Sequence, residues 1–173
     1  YKRTFIVNGV SKAFSMTGWR IGYGVGNKEI IKSISKIQSQ STTNPCSISQ
    51  VAAKFALDEE KKFLADWIKK FEQRKNFLLD FFESVSGFKP FVPSGAFYLY
   101  VSCEGYIDKK TENGNIIKND IDFAEYVLQE AKVAVVPGAA FGKSPFFRIS
   151  YATSLEDLKE ACKRIKSLIN KIK

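Results

Sequence analysis

The 173-residue sequence contains no histidine. Its cysteines, Cys46, Cys103 and Cys162, are odd in number and none stands in a CxxC spacing. These lacks argue against a zinc site with Cys/His ligands, and no metal is expected. Unpaired thiols fit a reducing, cytoplasmic setting better than a disulfide framework. No apolar run approaches the ~18–20 residues that a membrane helix needs and no signal peptide is visible, so no membrane partner is expected. Arginine is scarce: Arg3, Arg20, Arg74, Arg148 and Arg164 are the complete set. No Arg-rich patch or stacked aromatic motif of a nucleic-acid binder accompanies them. The net charge of +9 rests on lysines interleaved with Glu and Asp in helical-looking stretches, 61–75 and 159–173 among them. That pattern makes a solvated helix face, and nucleic acid is not expected as a partner.

What is present is enough for a core: 45% of the residues are hydrophobic. The chain opens at Tyr1, almost directly into the strand-like run Thr4-Phe5-Ile6-Val7, and is expected to be the C-terminal part of a longer protein. Residues 5–10 and 19–25 read as buried strands, and 28–38 as a helix through Ile30, Ile31, Ile34 and Ile37. A polar run over 39–45 interrupts it, and Ser47 with Gln50 reads as a capping box for a helix over 48–57. From residue 59 to about 84 an amphipathic helix of about 25 residues, about 37 Å long at 1.5 Å per residue, can connect two lobes. The expected division is 1–70 and 71–173.

Beyond Gly87 and Pro90, strands are predicted over 96–102, 133–136 and 146–151, a surface loop over 104–115, and a helix over 122–131. Ser154 with Asp157 starts the last helix. Strands alternating with helices indicate an α/β fold.

Lys12 sits at the predicted end of a strand, where ligand sites in open α/β sheets commonly lie. A lysine there, among Gly9, Ser11, Ala13 and Ser15, has room for a planar ring and can form an imine with an aldehyde. The alternative is an ordinary surface lysine. Arg20, eight residues on, falls in an otherwise apolar strand, where an unpaired charge is costly and a phosphate would suit its guanidinium. A structural salt bridge is the alternative. An aldehyde and a phosphate on one small molecule describe pyridoxal 5'-phosphate. Gly18, Gly22, Gly24 and Gly26 read as turn and close-packing devices, not as a dinucleotide fingerprint. In Phe146-Phe147-Arg148-Ile149-Ser150-Tyr151, strand alternation puts Arg148 and Ser150 on one face. Arg148 either holds a carboxylate or faces water from an edge strand.

The stretch from Val7 through Gly9-Val10-Ser11-Lys12 to Thr17-Gly18-Trp19-Arg20-Ile21-Gly22-Tyr23 resembles the pyridoxal-phosphate attachment site of class I aminotransferases, the bacterial aspartate aminotransferases of subgroup I-beta in particular. Gln40-Ser41-Thr42-Thr43-Asn44-Pro45 resembles the stretch near cofactor and dimer interface. Pro93-Ser94-Gly95-Ala96-Phe97-Tyr98, Val136-Pro137-Gly138 with Phe141-Gly142, and Phe147-Arg148-Ile149-Ser150-Tyr151-Ala152 follow in family order.

The resemblance implies the C-terminal portion of the fold-type I transferase fold: the end of the large domain in 1–70, and a connecting helix with the small α/β domain in 71–173. It implies that Lys12 holds pyridoxal 5'-phosphate as an imine and then moves the proton of a 1,3 shift. Arg20 and Ser11 would address the cofactor phosphate, Arg148 the substrate α-carboxylate, and Phe97 would border the substrate. Relatives often place the serine where this chain has Gly9. The implied activity is transamination between L-aspartate and 2-oxoglutarate in a homodimer. No arginine lies between Arg20 and Arg74 to take a second carboxylate, so an aminotransferase of prephenate or an aromatic amino acid is the alternative. The family's other cofactor contacts lie upstream of the lysine, so the isolated chain is expected to be inactive. A non-catalytic interaction module is the reading outside the enzyme class.

Overall fold

A computed structural model describes residues 2–173. Internal contacts divide the chain into two compact units, one ending at Ala65 and the other starting at Asp66. In the first, β1 (Ile6–Gly9) and β2 (Gly22–Val25) form an antiparallel hairpin with Gly9 opposite Gly22. The Phe5 ring lies over β2, and a Cβ on Gly24 would come within 2.6 Å of it. That close approach is what the glycine permits.

α1 (Lys28–Ser41) follows, opened by the Asn27 side chain, which accepts from the Glu29 N–H at 2.8 Å. It runs through the first part of the polar stretch expected to end it. α2 (Ser47–Asp58) begins one residue earlier than the capping box implied. Cys46 takes the cap position without a side-chain bond, and Gln50 donates to the Pro45 carbonyl at 2.9 Å instead. Helical periodicity therefore placed both helices, but not their buried faces. Ile30 and Ile37 on α1 are exposed, as are Ile48, Val51 and Phe55, a stripe at helical spacing on α2.

α3 (Lys62–Glu83) begins in the first unit and runs into the second. There β3 (Lys89–Phe91), β4 (Tyr98–Ser102), β5 (Val136–Pro137) and β6 (Phe146–Ser150) form one sheet in the order β3-β4-β6-β5, antiparallel throughout. Leu99, Val101, Phe147 and Ile149 alternate onto a buried face, as period-2 patterning requires. Against it lie Leu78 and Phe82 of α3, Phe123 of α4 (Asp120–Tyr126), and Leu158, Cys162, Ile165 and Leu168 of α5 (Leu155–Ile169). The predicted start of α5 holds: the Ser154 hydroxyl accepts from the Asp157 N–H at 3.0 Å.

Several predicted elements are corrected. The strand over 133–136 shrinks to Val136–Pro137, and the one over 96–102 starts at Tyr98 because Ala96 takes a left-handed φ of 62°. α4 starts at Asp120, since Asn119 caps it by accepting from the Ile121 and Asp122 N–H groups, both at 2.9 Å. From Val127 to Ala131 the chain winds as a π-helix. The polar segment 104–115 is more than a surface loop: Tyr106 is buried and donates to the Ser86 carbonyl at 2.6 Å.

Candidate active site

Ser11, Lys12 and Arg20 share the loop that joins β1 to β2. The Val10 N–H closes its base on the Ile21 carbonyl at 3.3 Å. Inside, Phe14 N–H donates to the Val10 carbonyl (3.3 Å), Ser15 N–H to that of Lys12 (3.1 Å) and Trp19 N–H to that of Met16 (3.2 Å). Ser15 and Arg20 reverse the chain with left-handed φ values of 53° and 56°. Val10, Met16 and Ile21 are buried with Ala53 of α2, and Phe14 packs beside them. The loop is thus held from beneath, leaving Lys12 and Arg20 exposed and Ser11 half-buried.

Arg20 is the main correction in this unit. It lies not inside a strand but at the end of a 3-10 turn, Thr17–Trp19, two residues before β2. Its Nη1 donates to the Thr17 carbonyl at 3.0 Å. An exposed guanidinium carries little desolvation penalty, so the costly-charge argument for an anion partner lapses. The salt-bridge alternative also fails, because among the described residues Arg20 has no acidic partner.

In the second unit, Phe97 stands just before β4 and Arg148 in the middle of β6. Tyr151 fixes the first of them: its N–H donates to the Phe97 carbonyl at 2.9 Å. The Phe97 ring lies 6.2 Å from that of Phe71 and 4.5 Å from that of Tyr98. β6 lies between β4 and β5, so the edge-strand reading of Arg148 is overturned. Arg148 is half-buried opposite Tyr100 in the register, with no ion pair among the described residues. Its Cζ lies instead 4.1 Å from the Tyr98 ring centre and 4.3 Å from that of Phe141. Burial raises the pKa of the neighbouring Tyr100 hydroxyl above its ordinary value, with Arg148 opposing and Asp120 adding to the shift.

Sequence reasoning passed over Tyr98, Phe141 and Asp120 as individual residues. Asp120 is 1% exposed and accepts from the Ala139 N–H at 2.7 Å and from the Ser144 hydroxyl. No local sequence signal joins Asp120 to residues 139 and 144, or Tyr98 and Phe141 to Arg148.

Residues 1–165 match the family described as aminotransferase class I and II. The chain belongs to that family. It is 55% identical, over 94% of its length, to the probable aspartate/prephenate aminotransferase of Rickettsia bellii, and covers 41% of that protein. It is 49% identical over 98% of its length to an aspartate aminotransferase of Rhizobium meliloti, covering 42% of it. The crystal structure of the aspartate aminotransferase from Rhizobium meliloti superposes with a TM-score of 0.96 at 48% identity, over 99% of this chain and 43% of that one. The chain therefore spans about two-fifths of the length of these aminotransferases. The fold expected from the lysine motif is the aminotransferase fold.

Proposed function

We propose that the protein is a pyridoxal-phosphate-dependent aspartate aminotransferase that exchanges the amino group between L-aspartate and 2-oxoglutarate, and that this chain is inactive alone. The observation that carries the reading is the pairing of an amine and a guanidinium, Lys12 and Arg20, on one short loop with an apolar floor. This donor set fits the proposed cofactor: an exposed primary amine suits an aldehyde, and a guanidinium suits a phosphate.

When bound, pyridoxal 5'-phosphate supplies an electron sink for the substrate carbon. The Lys12 Nζ would hold the cofactor covalently. Once the substrate's amino group has displaced Lys12, the released amine would take the proton from the substrate Cα and return it. Arg20 binds the phosphate with its outward N–H groups, and Ser11 adds a hydroxyl. Arg148 holds the substrate α-carboxylate bidentately, and Phe97 borders the substrate.

A second substrate, prephenate, is favoured by the relatives named aspartate/prephenate aminotransferase. We assign residues 1–70 to the end of a large cofactor-binding domain and 71–173 to a connecting helix with the small domain. The exposed stripe Ile48, Val51 and Phe55 supports burial in a homodimer. The free thiols support a reducing, cytoplasmic setting, and no helix among the described residues is long and apolar enough to cross a membrane.

Borohydride reduction of the full-length protein followed by peptide mapping tests the reading. A pyridoxyl group on Lys12 supports it, and the absence of any labelled peptide overturns it.

A further inference from the structure

Arg148 is a half-buried cation whose contacts among the described residues are ring faces rather than acids. A carboxylate partner would neutralise it and occupy the N–H donors that a substrate carboxylate needs. A ring face attracts the cation without consuming a donor. Both flanking rings lie well inside the ~6 Å range of such contacts, at 4.1 Å for Tyr98 and 4.3 Å for Phe141.

The two rings come from different parts of the second unit. Tyr98 is on β4, diagonal to Arg148 in the register that sets Tyr98 against Ser150 and Tyr100 against Arg148. Phe141 closes the 3-10 turn Gly138–Phe141, and its ring is half exposed. That turn is tied down from α4. One Asp120 oxygen accepts from the Ala139 N–H and the other from the Ser144 hydroxyl, so a single buried carboxylate grips both ends of the segment carrying Phe141. Gly142 N–H to the Ala139 carbonyl (3.1 Å) and Lys143 N–H to the Gly138 carbonyl (3.0 Å) tighten it.

We propose that Tyr98 and Phe141 are positioning residues that hold the Arg148 guanidinium by its faces, with its N–H donors left for a substrate carboxylate, and that Asp120 fixes the turn presenting Phe141. The proposal rests on the reading of Arg148 as the carboxylate site. The clamp prepays the ordering of a long, mobile side chain, which otherwise weakens each substrate's binding.

The test uses the full-length enzyme with Phe141→Leu, Phe141→Tyr, Asp120→Asn and Arg148→Ala. Succinate, a non-reacting dicarboxylate, serves as a calorimetric probe beside the kinetics. Phe141→Leu is expected to raise KM for the amino acid and the Kd for succinate by about 2- to 30-fold, the span of one lost cation–ring contact. The change in kcat is expected to be smaller, and Phe141→Tyr, which keeps the ring face, to restore both values. Asp120→Asn should raise KM too, and its combination with Phe141→Leu should raise it no further than the worse single change. If Arg148→Ala raises KM while Phe141→Leu leaves KM and succinate binding unchanged, the clamp is wrong and the carboxylate site stands. If Arg148→Ala itself changes neither, both readings fall.

Discussion

The Tyr151 hydroxyl donates to the Ala96 carbonyl at 3.1 Å, tying the residue after β6 to the left-handed turn before β4. With the bond from the Tyr151 N–H to the Phe97 carbonyl, it sets where Phe97 emerges. Tyr151→Phe keeps the ring and deletes the hydroxyl. It is expected to destabilise the protein by about 1 kcal/mol, the net value of one such bond. The shift of the urea midpoint measures this, and an unchanged midpoint would show that water replaces the bond.

Arg20→Lys keeps a charge on the loop but loses the planar fork. Under the proposed function it weakens retention of pyridoxal 5'-phosphate by about 10-fold or more, from hydrogen bonds to charged groups of ~1.5–3 kcal/mol. Equilibrium dialysis of the full-length protein gives the constant directly. Equal affinity in the two forms would remove Arg20 from the phosphate.

Gly105 packs against the backbone of Gly87, which has a φ of 93°. A Cβ at Gly105 would run into the Gly87 Cα and lie 2.9 Å from its carbonyl oxygen. Backbone cannot swing aside as a side chain can. Gly105→Ala is therefore expected to cost about 1–3 kcal/mol or more by overpacking, read from denaturant unfolding.

The three thiols should separate by reactivity. Cys46 is exposed at the start of α2, where the nearby backbone N–H groups of Ser49 and Ile48 favour the thiolate and lower its pKa below the ordinary value. Burial pushes Cys103 and Cys162 up to about 12. Iodoacetamide near neutral pH should therefore label Cys46 first, since the thiolate is the reacting form. Peptide mass spectrometry ranks the three, and early labelling of Cys103 or Cys162 would contradict their burial.

Stability should decline in alkali. Burial raises Cys103, Cys162 and Tyr106 to about 12 in the folded chain, above their ordinary values of 9.0, 9.0 and 10.0. Between those ordinary values and about 12 the folded state retains protons that the unfolded chain releases, so stability falls as pH rises. Below the ordinary values the contribution is fully present. Denaturant midpoints measured between pH ~8 and ~11 should fall progressively, and a flat profile would count against the raised values.

Helices were legible because their signals are local. The isoleucines over 30–37 marked α1, and Ser154 with its hydroxyl marked the start of α5. The alternation around Arg148 was equally plain, since Phe147 and Ile149 are buried and Arg148 is not. Less legible was anything set by backbone reversal. Nothing about an arginine announces a φ of 56°, so a strand was read straight through Arg20. Ala96 hid the start of β4 in the same way. The Asp120 grip on residues 139 and 144 joins groups distant in sequence, and no periodicity reports such a bond. For the same reason the motifs carried both Lys12 and Phe141, but none reported that the Phe141 ring meets Arg148.

The hairpin that carries Lys12 and Arg20 closes through Gly9 opposite Gly22 and through the bond from Val10 to Ile21. Both side chains are therefore mounted on one small plate whose dimensions are set by its own turns. A rigid displacement of that plate moves amine and guanidinium together and leaves their separation unchanged. One amino acid added between the two residues would rewrite that span, and packing elsewhere could not correct it.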